Sequence, residues 1–498
     1  VVTSVDLGGR RIIKKKMVTQ VTGSPGDDIA VRIRGVGTLG NNNPLYVIDG
    51  IPTTGGLNMF SISDIATIEI LKDAAAASVY GARAANGVVL ITTKRGKSGK
   101  PVFQFESYLG IQQPVNLPKL LNAKDFLTIR NEAIVNANAL RNVANQLPTY
   151  DPAILDTLPD NNWLDIMFNP AAMQRVSLSA RGGSENGTYY LSGEYLNQDG
   201  IFRGQGFKKY QFRMNAESGK SWFRVGTNLV FSHTDRNIIN GSGDGYGAGN
   251  ELSGVRYALI ASPLFKRFHA DGSPVKTSVE LGDPTLYGDG NANPEVLVDN
   301  TDWNLKRYRV FGNAFAEFRL AEGINLRSTL GGDLLFDKEK LWKERLSAAI
   351  YSPTSLNEGR VFNQTLVWNN TLDFQKTFGD HKLSVLAGME AIDNHTDYLG
   401  ASANNFRLTD PLFRYLSSSI TEDIKNVGIS GIATEWALLS YFSQVGYAYK
   451  NRYILSASFR RDGSSRFGRN NRWANFPSVS AAWNVSNEAF FPENTFIS

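Results

Sequence analysis

The sequence predicts a transmembrane antiparallel β-barrel preceded by a small α+β domain, and three observations carry that expectation. Beyond Pro101, apolar and polar residues alternate with period two almost everywhere. Very short turns alternate along the chain with long loops rich in Gly, Asn, Asp and Pro. The first hundred residues have a different texture, with short apolar strands broken by Gly around one alanine-rich patch. No run of about 18 apolar residues exists, which excludes a transmembrane helix but not a barrel, whose lipid-facing and lumen-facing residues average to a soluble-looking hydropathy.

In the first hundred residues, strands are expected at 30–34, 44–49, 67–71 and 87–93, with a helix over 73–80 whose opening Asp73 suits the positive end of the helix dipole. Residues 94–101 are basic and rich in turn formers, and make a linker between a domain at 1–100 and a second region at 101–498. Val1, Val2 and Thr3 precede a polar and basic stretch rather than an apolar core, as in a cytosolic chain or one whose leader has been removed.

The alternation is clearest where Tyr210, Phe212, Met214 and Ala216 share one face and Gln211, Arg213 and Asn215 the other. Val176, Leu178 and Ala180 alternate in the same way with Ser177, Ser179 and Arg181. Hairpin turns are expected at 320–324, 377–381 and 449–453, and long loops at 237–253, 282–301 and 397–432. Short turns at one end and long loops at the other are the asymmetry of an outer-membrane barrel. Tyr441, Phe442, Tyr447, Tyr449 and Tyr453 cluster near strand ends, where aromatic rings suit the headgroup level. About twelve strands fit between residue 102 and the end, and a helix over 122–142 caps one end. A soluble β-sandwich or β-helix, with one strand face against a core, is the competing fold.

Several function classes drop out. There are no cysteines, so neither a disulfide framework nor a cysteine nucleophile exists. No Gly-x-Ser-x-Gly elbow is present, so an acyl-transfer enzyme lacks its nucleophile, and the chain does not read as an enzyme. A net charge of +5 spread over this length leaves no nucleic-acid footprint. Gly35, Gly37 and Gly40 match the dinucleotide fingerprint, but Asn41, Asn42, Asn43 and Pro44 follow where a helix must begin. His233, His269, His381 and His395 stand too far apart for a metal site. No cofactor is expected. Asp289, Asn291, Asn293 and Glu295 place oxygens at alternate positions as calcium loops do, but without the central Gly and flanking helices a solvated loop is preferred.

The stretches Val31-Arg32-Ile33-Arg34-Gly35, Asn43-Pro44-Leu45-Tyr46-Val47-Ile48-Asp49-Gly50 and Ile68-Glu69-Ile70-Leu71-Lys72-Asp73, continuing through the alanines to Val88-Val89-Leu90-Ile91-Thr92-Thr93, resemble the plug of a TonB-dependent outer-membrane transporter. In detail they are similar to the SusC/RagA branch. Arg460-Arg461-Asp462-Gly463-Ser464-Ser465-Arg466-Phe467-Gly468 and Asn471-Arg472-Trp473-Ala474-Asn475-Phe476-Pro477-Ser478 resemble the same branch's barrel signature.

The resemblance implies a bacterial outer-membrane importer with its plug inside the lumen, driven by the TonB-ExbB-ExbD complex. Its cargo is an oligosaccharide or oligopeptide, its lid a SusD-like surface lipoprotein, and its assembly a dimer of transporter–lipoprotein pairs surrounded by outer-membrane lipid. A siderophore or other small-nutrient receptor is the nearest alternative. Val1, Val2 and Thr3 look like the tail of the TonB-contacting segment. The family builds its barrel from twenty-two strands, and an open sheet in lipid leaves costly unpaired edges. The expectation is therefore an incomplete chain, with further strands beyond Ser498 or in another chain. Arg32, Arg34, Glu69, Lys72 and Arg83 are expected to face polar lumen groups across water. The plug loops at 37–44 and 51–61 are expected to point to the exterior, making Asn41, Asn42 and Asn43 candidates for hydrogen bonds to cargo.

Overall fold

The computed structural model describes residues 17–20, 24–27, 29–33, 42–53, 60–71, 78–239, 254–287, 292–346, 353–419, 427–488 and 490–491. An antiparallel pair, β1 (Met17–Gln20) and β2 (Ile29–Arg32), opens the chain. A four-stranded sheet follows, made of β3 (Leu45–Ile48), β4 (Ile51–Thr53), β5 (Ile65–Leu71) and β6 (Val88–Thr93) in the order β4-β3-β6-β5. β3 runs parallel to β6, which fits two short apolar strands buried on both faces. The expected helix at 73–80 lies mostly outside the described residues. Its described end belongs to 3-10 turns at Ser78–Ala84, broken at Gly81, whose φ of 64° no ordinary helix position adopts.

Twelve antiparallel strands form one continuous sheet, each hydrogen-bonded to its sequence neighbour. They are β7 (Gly99–Gln112), β8 (Ala171–Ser184), β9 (Gly187–Asp199), β10 (Gly206–Lys220), β11 (Phe223–Ile238) and β12 (Thr301–Ala321). The series continues with β13 (Ile324–Lys343), β14 (Ser355–Phe378), β15 (His381–Asn404), β16 (Val427–Tyr449), β17 (Tyr453–Ser464) and β18 (Trp473–Trp483). The three expected hairpin turns lie at β12–β13, β14–β15 and β16–β17, all at one end of the sheet. The loop expected at 397–432 is shorter than that, because β15 carries on to Asn404 and β16 begins at Val427.

Which face is greasy decides between a membrane wall and a sandwich. On β10 Tyr210 and Phe212 are 49% and 47% exposed, whereas Gln211, Arg213 and Asn215 are 5%, 0% and 4% exposed. Apolar residues point outward and polar residues inward, the inverse of a soluble sheet. Leu178, Phe231, Leu330 and Trp368 repeat the exposure on other strands. This is a transmembrane barrel wall wrapped against a plug. Phe442 departs from the expected aromatic belt: it is buried on the inward face beneath the Arg460 guanidinium, because it is one residue out of phase with exposed Tyr441.

The long loops carry structure of their own. α1 (Ala123–Asn138) begins at Asn122, whose side chain accepts from the Asp125 N–H, close to the start expected from sequence. With α2 (Trp163–Met167) it packs on the loop between β11 and β12, which holds α3 (Gly254–Ile260), α4 (Pro284–Tyr287) and α5 (Pro294–Asp299). Trp163, Met167, Leu264, Phe265 and Val275 are almost wholly buried in this shared core, and Trp163 Nε1 donates to the Ser262 carbonyl at 3.0 Å. The described residues between β11 and β12 thus form half of a folded cap.

Candidate functional site: the plug–wall interface

The plug meets the wall through one apolar cluster and several buried polar hubs. In the cluster, Val31, Ile33, Tyr46, Ile48, Ile51, Phe60, Val89 and Ile91 of the plug pack against Val230, Phe311, Val367 and Ile392 of the wall. Phe60 and Phe311 meet edge to face, with centroids 5.6 Å apart, a geometry worth about 0.5–1.5 kcal/mol beyond its buried area. Ile51 approaches the wall backbone at Gly331, where a Cβ would lie 2.4 Å from its Cδ1. Any side chain at position 331 would have to displace Ile51.

The first polar hub is Asp64, fixed where a 3-10 turn (Ile62–Asp64) leads into β5. Its Oδ1 accepts from Tyr190 Oη at 2.8 Å and Ser192 Oγ at 2.7 Å, and its Oδ2 from Gln211 Nε2 at 2.9 Å. Its backbone is fixed too, since Lys94 N donates to the Asp64 carbonyl at 2.8 Å. Beside it Glu194 pairs with Lys209 at 2.9 Å and accepts from the plug's Ser61 hydroxyl.

The second hub is Asp49, in the two-residue turn between β3 and β4. Its carboxylate accepts from Thr93 N at 3.1 Å, from the Thr93 hydroxyl and from Asn228 Nδ2. Fully buried Arg213 donates to Thr93 Oγ1 and to Asn228 Oδ1, tying the plug hydroxyl to β10 and β11. At a third hub Thr53 Oγ1 donates to Asp333 Oδ2 at 2.8 Å and accepts from Arg309 Nη2 at 2.9 Å.

The fourth contact is ionic. Arg83 Nη2 lies 2.7 Å from Glu390 Oε1, the oxygen that also takes Arg460 Nη2 at 2.9 Å. Arg460 in turn pairs with Asp462 at 2.6 Å and donates to the Val79 carbonyl. Burial pushes the Arg83 guanidinium below its ordinary pKa, and the Glu390 charge acts against that shift. Burial, then Glu390, pushes the Tyr80 hydroxyl up. The expectation that plug charges face the lumen across water is thus too simple. Arg83 reaches the wall directly, Arg32 donates within the plug to Asn43 Oδ1, and Glu69 is exposed. Arg34 and Lys72 lie outside the described residues.

Asn43 is exposed, and besides Arg32 it receives Asn86 Nδ2 on its carbonyl at 3.4 Å; Asn42 is half-buried. Asn41, Val1, Val2 and Thr3 lie outside the described residues, as do most of the plug loops at 37–44 and 51–61. Of the calcium candidates, Asp289 and Asn291 also lie outside. Glu295 receives Arg203 at 2.9 Å and Arg267 at 2.6 Å, and Asn293 caps α5 by accepting from the Glu295 N–H at 3.0 Å. Both are committed to protein partners. Among the described residues no group of three potential ligands could hold a metal.

Sequence reasoning missed Asp49, Asp64, Thr53 and Thr93 on the plug and Glu194, Asp333 and Glu390 on the wall. The signal for the wall residues was their inward phase, shared with the Gln211–Asn215 face.

A family model for the TonB-dependent receptor plug domain matches residues 14–88. The chain is 32% identical over 489 residues to TonB-dependent receptor P26 of Formosa agariphila, which covers 95% of this chain and 46% of that protein. Against the TonB-dependent receptor SusC of Bacteroides thetaiotaomicron the identity is 28% over 520 residues, with coverages of 96% and 47%. The chain thus spans a little under half the length of these curated relatives. The RagAB peptide importer in its closed-closed state aligns with a TM-score of 0.79 at 26% identity, over 96% of this chain and 55% of that chain. FpvA of P. aeruginosa, bound to heterologous pyoverdines, shares the fold alone, with a TM-score of 0.52 at 13% identity over 94% and 51% of the two chains. The matched proteins are receptors and importers, not enzymes. With a plug seated in an outward-greasy wall, the chain is SusC/RagA-like, similar along nearly its whole length to TonB-dependent receptors.

Proposed function

We propose that the chain serves TonB-dependent active import of oligosaccharides or oligopeptides across the bacterial outer membrane, with a SusD-like lipoprotein as its lid. The observation that carries this reading is the mixed character of the plug seat. Buried hydrogen-bonded hubs at Asp49 and Asp64 hold the plug in register. A purely apolar seat has no such directional contacts, and hydrogen bonds exchange with water at modest net cost once a pull opens the interface. The SusC and RagAB likenesses support glycan or peptide cargo and energy coupling through TonB. The siderophore reading rests on fold likeness alone.

The test is uptake by an outer-membrane host carrying the full-length receptor and its partner lipoprotein. Accumulation of fluorescent oligopeptide or oligosaccharide that stops when TonB is deleted is the expected result. Uptake that persists without TonB, or that is confined to ferric siderophores, overturns the proposal. Within this reading Asn41, Asn42 and Asn43 remain cargo-contact candidates. Unchanged uptake after all three become Ala assigns them a turn-forming role only.

A further inference from the structure

Strand lengths in the wall are uneven. β12 to β16 have 21, 20, 24, 24 and 23 residues, whereas β17 and β18 have 12 and 11. About 9–11 residues cross a bilayer, so the long strands stand well above it and the β17–β18 hairpin barely clears it. β16 pairs with β15 from Val427 onward, yet with β17 only from Leu438. Among the described residues its upper part has a neighbour on one side alone.

Backbone direction along that stretch follows from its foot. The Ala437 carbonyl accepts from Ser465 N at 3.0 Å and its N–H donates to Ser465 Oγ at 2.8 Å, so the Ala437 backbone faces the β17 side. By strand alternation the N–H and C=O groups of Val427, Ile429, Gly431, Ala433 and Glu435 face the same way. No residue among those described pairs with them there, and 427–435 is exposed throughout, with Ile429 at 80%. Edges of this kind are normally blunted by Lys, Pro or a bulge. Here the only charge is Glu435, and small residues leave the backbone open.

Two neighbouring features say what fits. The β17–β18 loop at the foot of the edge carries Arg466, Arg469 and Arg472, all exposed and without an ion pair among the described residues. The Arg466 guanidinium lies over the Trp436 ring, 4.8 Å from its centroid. On the inward face, beside the edge, a cavity of about 300 Å³ is lined by Tyr398, Gly400, Gly428, Ser430 and Asn357, with room for a large side chain.

We propose that the β16 edge from Val427 to Glu435 is a strand-addition site for an extended peptide, whose carboxylate-bearing end lies over the arginine loop. A row of backbone donors and acceptors at strand spacing recognises another backbone. The cationic foot sets its direction. The site lies on the wall above the bilayer, outside the plug interface, and it stands whether or not the import reading holds.

The test uses the full-length receptor in detergent with a fluorescein-labelled Thr-Val-Thr-Val-Thr-Val-Thr-Asp peptide, read by anisotropy. Saturable binding is expected. Methylating alternate backbone nitrogens of the peptide on its ladder-facing side weakens it about tenfold or more. The double variant Ile429→Pro with Ala433→Pro, in which an edge strand tolerates proline, does the same. Arg466→Gln with Arg472→Gln weakens the acidic peptide but not its amidated, Asn-ended form. The proposal is overturned by absence of saturable binding, by equal binding of the methylated peptide, or by displacement with maltoheptaose as readily as with unlabelled peptide.

Discussion

Replacing Asp64 by Ala removes the acceptor of three hydrogen bonds from the wall, at 2.8, 2.7 and 2.9 Å, and leaves Tyr190, Ser192 and Gln211 without it. Each bond to a charged group is worth about 1.5–3 kcal/mol. The three donors can partly re-pair with each other or with lumen water, so the sum is an upper bound and about 3–5 kcal/mol is the expected loss. Planar-bilayer conductance of the full-length receptor under a urea ramp reports when the plug leaves its seat. With a urea slope of about 1–2 kcal/mol per molar for a domain this small, the opening midpoint falls by about 2 M or more. Glu69→Ala, at an exposed plug position, is the control, with an expected change within about 0.5 kcal/mol. If the two variants open at the same urea concentration, Asp64 does not hold the plug and the account of the seat is wrong.

Four further outcomes follow from the same contacts. Glu390→Gln leaves Arg83 without a carboxylate and Arg460 with Asp462 alone, whereas Arg83→Ala leaves Glu390 its Arg460 partner; the same conductance assay is expected to show a loss of about 3 kcal/mol for the first and a smaller one for the second. Gly331→Val drives a side chain into Ile51 and costs about 1–3 kcal/mol, and pairing it with Ile51→Ala recovers most of the loss in a double-mutant cycle. Phe212→Arg, on the exposed face midway along β10, lowers stability in lipid by about 2–4 kcal/mol, read by the temperature at which the folded band is lost on gels. In the cap, burial and the Asp283 carboxylate at 2.9 Å hold the Tyr150 hydroxyl up, at about 12. Its stabilising contribution is present below the unfolded value of about 10 and is lost as pH rises from there through about 12. The Tyr150 share of the tyrosinate absorbance, taken as the difference between the protein and Tyr150→Phe among its 19 tyrosines, and cap hydrogen exchange are expected to change together across that window.

Sidedness was legible because period-two alternation survives in the sequence whatever surrounds it. Tyr210, Phe212 and Met214 against Gln211, Arg213 and Asn215 already separate two environments. The alternation does not say whether an inward residue meets water or the plug, so Arg213 and Gln211 were visible while their partners Thr93 and Asp64 were not. Asp49 and Asp64 sit in a hairpin and a 3-10 turn, where an aspartate is expected for local reasons. Proximity alone puts Phe442 with its aromatic neighbours, whereas its phase relative to Tyr441 places it inside. The cap core was hidden because Leu264, Phe265 and Val275 are spaced irregularly among turn formers, with no helical or strand period to betray their burial.

That core joins Trp163, Leu164 and Met167, ahead of β8, to Leu264, Phe265 and Val275, beyond β11, so that four strands lie between its two parts in the chain. Neither stretch holds the whole core by itself, so closing it brings together residues as far apart in the chain as Trp163 and Ser262, 99 positions from one another. Until that meeting occurs, Trp163 and Phe265 lack the burial it gives them.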